Sequence, residues 1–311
     1  DVERSRGLGD VYKRQFLFSV VHIGIGKFGQ WNTDSDLVEQ YINALALKED
    51  LPEGDWRIDT YKTHDNLGLW LDKSCLQYFG STAAPSILSF YPALGVKRDV
   101  RSQPELSNYA LRGLLSVRYL LTTLAHQKQF HAEADEGWAY YDTLDGYVLY
   151  ENQNYVPMGF TYDYYLSRSD FNALSEGDEN SMGSREPAML RAVVLEDDTI
   201  RRLSGLLQEL PEDRRNFTEE SFEQDCADRR LNACTSFAYT NTGFTAEINT
   251  DRERLVFFSV PYEAGWSARV NGEPVDIERV NVGFMAVVAP RGEKVPVSYT
   301  HLRAHETSLH L

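Results

Sequence analysis

The stretch SVPYEAGWSARVNGEPV, residues 259–275, joins an apolar strand to a short hairpin. Its Asn271-Gly272 dipeptide is the strongest turn signal in the chain, because a type I′ turn needs positive φ at both central residues. Apolar and polar residues alternate on either side of it, which indicates paired strands. We therefore expect Gly265 to allow a bend and Trp266 to be buried between β-strands. The alternative for Trp266 is an exposed ring that stacks on a sugar.

Short strands and turns continue through the C-terminal part of the chain. Turn signals lie at Thr242-Gly243 and Arg291-Gly292, and a helix is predicted from Thr218, with Thr218-x-x-Ser221 as its cap. These patterns predict a lobe over residues 216–297 that consists of a helix and an antiparallel β-sandwich.

Residues 31–215 mix helix and strand patterns. A helix is predicted near Asp36, capped by Asp34 or Ser35, and WRIDTYK (56–62) alternates like a strand. Residues 137–152 form two strand patterns around a turn, which predicts a hairpin. The expected fold class is α+β, with an N-terminal mixed α/β lobe followed by a C-terminal antiparallel β-sandwich-like lobe.

Both ends differ from the sequence between them. Residues 1–15 and 298–311 show no periodicity that links them to their neighbours, and both resemble translated sequencing adaptors. We predict that they are foreign tails that pack poorly. Residues 16–30 begin with the apolar run FLFSVVHIGIG, which is too short to span a bilayer, and we interpret them as the stub of a truncated transmembrane helix.

The composition excludes some classes of function. The formal net charge of −16 disfavours binding to nucleic acid or to an anionic membrane surface through bulk electrostatics. The chain has three cysteines and no C-x-x-C pair, which argues against a zinc ribbon or a thioredoxin motif. Cys226 and Cys234 are candidates for a local disulfide, and two free buried thiols are the equal alternative.

One motif suggests a nucleotide site. GIGKFG (24–29) fits G-x-G-x-x-G, but a dinucleotide-binding loop must open a helix, and here the helix is expected only near Asp36. A dehydrogenase is therefore a minor alternative. The chain contains no G-x-S-x-G, H-E-x-x-H or Walker A motif, so the sequence identifies no catalytic residue, cofactor or metal ligand.

Aromatic residues are concentrated between Trp138 and Tyr165, where ten occur. Aromatic rings with polar tips can stack on sugars, but they also fill β-sheets, and packing is the favoured interpretation. The candidates for contact with a glycan are four tyrosines: Tyr141, Tyr150, Tyr155 and Tyr164.

Four segments carry a resemblance to a known family: LLSVRYLL (114–121), YENQNYVPMGFTYDYY (150–165), RRLNACTSFAYTNTGFTAEI (229–248) and LVFFSVPYEAGWSARVNGEPVDIERVNVGFMAVVAPRGE (255–293). They resemble the extracytoplasmic region of YfhO-family bacterial membrane proteins, in collinear order over roughly residues 30–297. The runs SVPY-x-x-GW-x-A-x-VNG and VN-x-GFMAV are the most specific.

The resemblance implies a polytopic membrane protein of the GT-C-like glycosyltransferase type, which transfers a sugar from a polyprenyl-phosphate donor to a cell-envelope acceptor. It places the catalytic acid in an early extracytoplasmic loop that this sequence lacks, so no catalytic residue carries over. The implied partners are the transmembrane part of the same protein and an envelope glycan or polyprenyl-phosphate sugar. The implied location is the extracytoplasmic side of the bacterial cell membrane. The alternative is a carbohydrate-binding module without enzymatic activity.

Overall fold

The computed structural model describes residues 18–21, 35–80, 83–134, 137–176 and 183–301. The chain divides into two compact units, Asp1–Ile42 and Asn43–Leu311. In the first unit, residues 18–21 are helical and helix α1 (Ser35–Asp50) begins. The predicted tail at 1–15, the GIGKFG motif and most of the predicted stub lie outside the described ranges. None of the helices that the structure describes has the length and hydropathy needed to cross a membrane.

The N-terminal sheet of the second unit has the strand order β1-β4-β6-β5. Its strands are β1 (Arg57–Tyr61), β4 (Val117–Thr123), β5 (Trp138–Leu144) and β6 (Tyr147–Asn152). β1 and β4 are parallel, whereas β4, β6 and β5 pair antiparallel. A parallel pair needs a long crossover. Here the crossover contains α2 (Leu67–Leu71), β2 (Tyr78–Phe79), α3 (Pro85–Ala93), β3 (Arg101–Ser102) and α4 (Tyr109–Leu114).

A small parallel sheet and several short helices follow. The sheet has the order β10-β8-β9, formed by β8 (Tyr164–Ser167), β9 (Val193–Leu195) and β10 (Gln208–Glu209). The helices are α5 (Gln127–Glu133), α6 (Arg168–Ala173), α7 (Arg185–Arg191) and α8 (Asp197–Leu203), with a 3-10 turn at Glu212–Arg214. Helix α9 (Glu219–Leu231) begins after a capping box, in which the hydroxyls of Thr218 and Ser221 each accept a hydrogen bond from the other residue's backbone N–H.

Two antiparallel sheets form the C-terminal sandwich. The first has the order β11-β12-β18-β14-β15, with β11 (Ser236–Thr240), β12 (Gly243–Thr250), β14 (Trp266–Val270), β15 (Glu273–Val275) and β18 (Gly292–His301). The second has the order β16-β17-β13-β7, with β7 (Phe160–Thr161), β13 (Arg254–Pro261), β16 (Glu278–Val280) and β17 (Phe284–Ala289). The predicted α+β class, with a mixed lobe before an antiparallel β lobe, is confirmed.

The two lobes share the sheet that contains β13. Successive side chains of a strand point to opposite faces. On β13, Val256 and Phe258 belong to the core of the sandwich, and Leu255 and Phe257 belong to the large core under the N-terminal lobe. β7 comes from the N-terminal part of the chain and pairs with β13. Residues 255–258 of β13 are all apolar because both faces of the strand are covered.

The stretch 259–275 contains the end of β13 and the hairpin β14–β15. Val270 pairs with Glu273, so Asn271 and Gly272 form a two-residue loop, with φ values of 53° and 81°. Trp266 is half-buried rather than enclosed, and its ring packs near those of Phe244 and Tyr299, with centroid distances of 6.0 and 6.3 Å. A Cβ at Gly265 would lie 2.6 Å from Nε2 of His301, so a side chain at this position would require the His301 ring to shift.

The predicted start of the C-terminal tail at residue 298 is wrong. Residues 298–301 continue β18, which pairs with β12 on one side and β14 on the other. Tyr299 is buried and stacks on Phe244 at a centroid distance of 4.5 Å. The inward positions Val295, Val297 and Tyr299 continue one alternation past the expected boundary. Residues 302–311 lie outside the described part of the chain.

The candidate disulfide pair occupies two different cores as free thiols. Cys226 belongs to the large core, and Cys234 packs against the sandwich core. Burial raises the pKa of both thiols, to about 12 for Cys234. Both side chains therefore have the environment of small apolar residues.

Replacement of Tyr299 tests the extended end of β18. Tyr299→Ala should lower the free energy of unfolding by about 3–5 kcal/mol, because it removes a buried ring from the sandwich core. Tyr299→Phe should leave stability unchanged or raise it, because the hydroxyl is buried and has no hydrogen-bond partner among the described residues.

Urea unfolding followed by circular dichroism measures both effects. The control is Thr300→Ala, since Thr300 is the exposed neighbour on the same strand. Equal stability of the Tyr299→Ala and Thr300→Ala proteins would show that residues 298–301 do not belong to the folded sandwich.

Candidate functional site: a polar cleft beside the first strand

Strand β1 buries a polar face. Arg57, Asp59 and Tyr61 alternate along the strand, so their side chains share one face, and all three are buried. Buried polar groups need hydrogen-bond partners, and buried charges also need a partner of opposite charge. The partners of these three side chains determine what packs against the strand.

Asp59 forms a buried ion pair with Arg112 of α4. Nη2 and Nε of Arg112 lie 2.8 and 3.0 Å from Oδ2 of Asp59, and both side chains are inaccessible to solvent. The same guanidinium group donates to the backbone carbonyls of Pro104, Glu105 and Asn108. Burial raises the pKa of Asp59, and the charge of Arg112 opposes that rise. The pair therefore fixes the segment 104–108 against the strand.

A polar cleft of about 750 Å³ lies between this segment and the end of β1. Among the described residues, smaller clefts of about 300, 460 and 450 Å³ also occur. Most of the residues that line the polar cleft carry hydrogen-bonding side chains; the lining residues are Tyr61, Lys62, Thr63, Gln77, Gln103, Pro104, Glu105, Leu106, Ser107, Ala132 and Glu133. The geometry favours a polar ligand over an apolar one.

Tyr61 and Glu133 form a fixed pair at the cleft. The hydroxyl of Tyr61 donates to Oε2 of Glu133 at 2.6 Å, and Gln129 donates to Oε1 at 2.8 Å. The hydrogen bond from Tyr61 lowers the pKa of Glu133, and burial raises the pKa of Tyr61. At neutral pH Glu133 is thus an ionised acceptor. Its depressed pKa makes it a weak general base, so it is suited to binding rather than to proton transfer.

The other groups of the cleft suit a hydroxylated ligand. The side chains of Gln77 and Gln103 carry both donors and acceptors, Glu105 supplies a second carboxylate, and Lys62 supplies an ammonium group. Within the described ranges, no group of three or more His, Cys, Asp or Glu residues could hold a metal ion. The donors and acceptors of these side chains can bind a polyol through several directional hydrogen bonds.

The structure does not bring the four candidate tyrosines to one face. Tyr150 is buried in the large core and its hydroxyl lies 2.9 Å from Nε2 of His131, so it cannot stack on a sugar. Tyr141 is exposed on β5 and contacts Tyr119 at a centroid distance of 5.0 Å, and Tyr155 packs against the buried cluster that contains Tyr119. Tyr164 packs elsewhere, where it accepts a hydrogen bond from Arg214 at 3.1 Å.

Sequence reasoning missed the residues of the polar cleft. The cleft combines the end of β1 with residues about 15, 45 and 70 positions further along the chain, and no short motif joins them. One signal was present in WRIDTYK, where opposite charges stand two positions apart in a strand. Such a pair on one face can mark a buried polar network as well as a solvated surface.

Comparison with known proteins gives one match to a family. The family model described as bacterial membrane protein YfhO matches residues 17–224 and 215–301. The comparisons with curated proteins and with solved structures gave no match. The matched ranges include every residue of the polar cleft.

Removal of Arg112 should be strongly destabilising. Arg112→Met should lower the free energy of unfolding by about 3–5 kcal/mol, because it leaves the buried Asp59 carboxylate without its partner. The matched control is Arg118→Met, since the Arg118–Glu151 pair is partly exposed, with an Nε–Oε1 distance of 3.2 Å. That pair should contribute about 1 kcal/mol or less. Urea unfolding measures both, and similar losses in the two variants would contradict the role of the Asp59–Arg112 pair.

Glu186 should make stability depend on pH. This side chain is buried beside the network, and Asn108 donates to its Oε1 at 2.5 Å. Burial raises the pKa of Glu186 from 4.5 to about 7. The folded protein therefore holds a proton that the unfolded chain has lost, and stability should fall by roughly 3 kcal/mol as pH rises from 4.5 to 7.

Glu186→Gln removes the titrating group and should remove this part of the pH dependence. Unfolding free energies measured at pH 4.5, 5.5, 6.5 and 7.5 give the slope for each protein. The variant should become more stable than the parent towards pH 7.5. Parallel curves for the two proteins would show that folding does not change the pKa of Glu186.

Proposed function

Because the chain belongs to the YfhO family of bacterial membrane proteins, we propose that its described residues form the extracytoplasmic part of a cell-envelope glycosyltransferase. The proposed reaction transfers a sugar from a polyprenyl-phosphate donor to an envelope acceptor. The observation that carries the proposal is the polar cleft, which has the size and the hydrogen-bonding groups of a saccharide site.

In this proposal, the cleft binds the acceptor saccharide. A saccharide presents many hydroxyls that both donate and accept, which suits the amides of Gln77 and Gln103 and the carboxylate of Glu133. A polyprenyl chain would need an apolar groove instead, and few apolar side chains line this cleft. The proposed ligand is therefore the polar acceptor or a sugar unit, and not the lipid tail of the donor.

In this proposal the membrane part of the protein transfers the sugar, and the described residues bind the acceptor. Glu133 is the best-defined carboxylate of the cleft, and its lowered pKa favours an acceptor role over general base catalysis. The described residues then hold the acceptor close to the membrane part, which is the proposed partner. This arrangement also requires the domain to face the extracytoplasmic side.

The structure lends less support to a carbohydrate-binding module built on aromatic stacking. Such a module needs exposed rings that share a face. Tyr150 is buried, and Tyr164 packs against a different cluster from Tyr155. Hydrogen bonding in the polar cleft therefore supports saccharide binding better than the aromatic residues do.

Titration with envelope saccharides tests the proposal. The 311-residue chain should bind at least one member of a panel of bacterial envelope saccharides in isothermal titration calorimetry. Glu133→Gln should weaken that binding about tenfold, which is the loss expected for one hydrogen bond to a charged group. Glu273→Gln is the matched control, since Glu273 is an exposed carboxylate on β15.

The chain should bind the saccharide without transferring sugar from a polyprenyl-phosphate donor. Turnover by the purified chain would contradict the assignment of sugar transfer to the membrane part, even if saccharide binding were confirmed. Binding that is unaffected by Glu133→Gln would remove the polar cleft from the proposal. A panel that yields no ligand would contradict the proposed acceptor site itself.

A further inference from the structure

A second cleft, of about 450 Å³, lies between α6, α8 and β16. We call it the arginine cleft, because Arg168, Arg202 and Arg279 line it together with Glu196, Glu278 and Tyr262. It shares no lining residue with the polar cleft. Its volume lies within the range of small-molecule sites.

One of the three arginines is already neutralised. Nη2 of Arg202 lies 2.6 Å from Oε2 of Glu278, and Nη1 lies 2.9 Å from Oδ2 of Asp198. These contacts raise the pKa of Arg202, chiefly through the hydrogen bond to Glu278. Arg202 and its two carboxylates together carry a net charge of −1, so any positive charge that the cleft offers to a ligand comes from the other two arginines.

The other two arginines form no ion pair within the described ranges. Nη1 of Arg168 is buried and has no hydrogen-bond partner there. Nε of Arg279 donates to the carbonyl of Val282 at 3.0 Å, and this side chain has no carboxylate partner in the described part of the chain. A buried guanidinium N–H without an acceptor is unfavourable, so a small shift of Arg168 that brings this N–H to an acceptor in the cleft would be favourable.

The local electrostatics agree with an anionic ligand. Burial lowers the pKa of Arg168; the charge of Glu196 opposes this effect most strongly, and the charges of Arg185 and Arg279 add to it. Arg168 and Arg279 line the same cleft, so their like charges act against each other there. An anion placed between them would relieve this repulsion.

We propose that the arginine cleft binds a phosphate group, either as free phosphate or as the phosphodiester of a larger ligand. Guanidinium groups match the geometry of phosphate oxygens and bind them through paired, charge-assisted hydrogen bonds. A tetrahedral phosphate offers enough oxygens for two guanidinium groups and a hydroxyl such as that of Tyr262, whereas a carboxylate offers only two. The ligand therefore belongs to the phosphate class.

Substitution of Glu196 should strengthen phosphate binding, whereas substitution of Arg168 or Arg279 should weaken it. Glu196 is exposed, lines the cleft and makes no ion pair within the described residues. Its negative charge would oppose a bound phosphate. Glu196→Gln should therefore tighten phosphate binding about threefold or more, which a merely structural role of the cleft would not produce.

Calorimetric titration of the 311-residue chain with inorganic phosphate, and separately with dimethyl phosphate, tests the proposal. At least one probe should bind saturably at a single site. Arg168→Gln and Arg279→Gln should each weaken that binding tenfold or more, since each loses a charge-assisted contact. Arg252→Gln is the control, because Arg252 is exposed and paired with Asp163 outside this cleft.

The two probes separate the sources of the phosphate. Tighter binding of inorganic phosphate indicates free phosphate, and tighter binding of dimethyl phosphate indicates a phosphodiester. If Arg168→Gln does not fold, phosphate binding by Arg279→Gln is sufficient to test the proposal, because Arg279 is exposed. The proposal is overturned if neither probe saturates, or if Arg279→Gln binds as tightly as the parent. These results are independent of saccharide binding in the polar cleft.

Discussion

The buried ion pair between Asp59 and Arg112 is the interaction on which the arrangement of the N-terminal lobe depends. Arg112 joins β1 to α4 and also holds three backbone carbonyls of the segment between β3 and α4. A buried pair of this kind contributes little net stability compared with an apolar core. Its effect is on specificity, because only one placement of the segment 104–108 satisfies every donor of the guanidinium group. We therefore infer that the polar cleft owes its shape to this pair.

The same face of β1 also joins the two lobes. Arg57 donates to the carbonyl of Leu115 and, through two nitrogens, to the hydroxyl and carbonyl of Ser259, all at 2.8 Å. Ser259 begins the stretch SVPYEAGWSARVNGEPV and lies on β13. β13 in turn separates the large core from the sandwich core. One polar strand face thus positions both the cleft and the shared sheet.

The sequence predicted the features that depend on local physics. The Asn271-Gly272 loop requires positive φ at both residues, and the Thr218 hydroxyl accepts a hydrogen bond from the Ser221 N–H in the first turn of α9, so each follows from a few adjacent residues. The polar cleft could not be predicted in this way. WRIDTYK has the same alternating pattern whether its polar face is buried or exposed to solvent. Only tertiary packing decides that the face with Arg57, Asp59 and Tyr61 is buried. The end of β18 was missed for a different reason: an adaptor-like composition outweighed an alternation that continues through Tyr299.

Hydrogen exchange of an Arg112→Lys variant tests whether the Asp59–Arg112 pair holds the wall of the polar cleft. Lysine keeps the charge beside Asp59 but lacks the planar fork that reaches several carbonyls. The amide of Asn108, which donates to the carbonyl of Glu105 at 3.1 Å, should exchange much faster in the variant, whereas the amides of β13 should keep their protection. Unchanged protection at Asn108 in a folded Arg112→Lys protein would show that the Asp59–Arg112 pair does not hold the wall of the polar cleft.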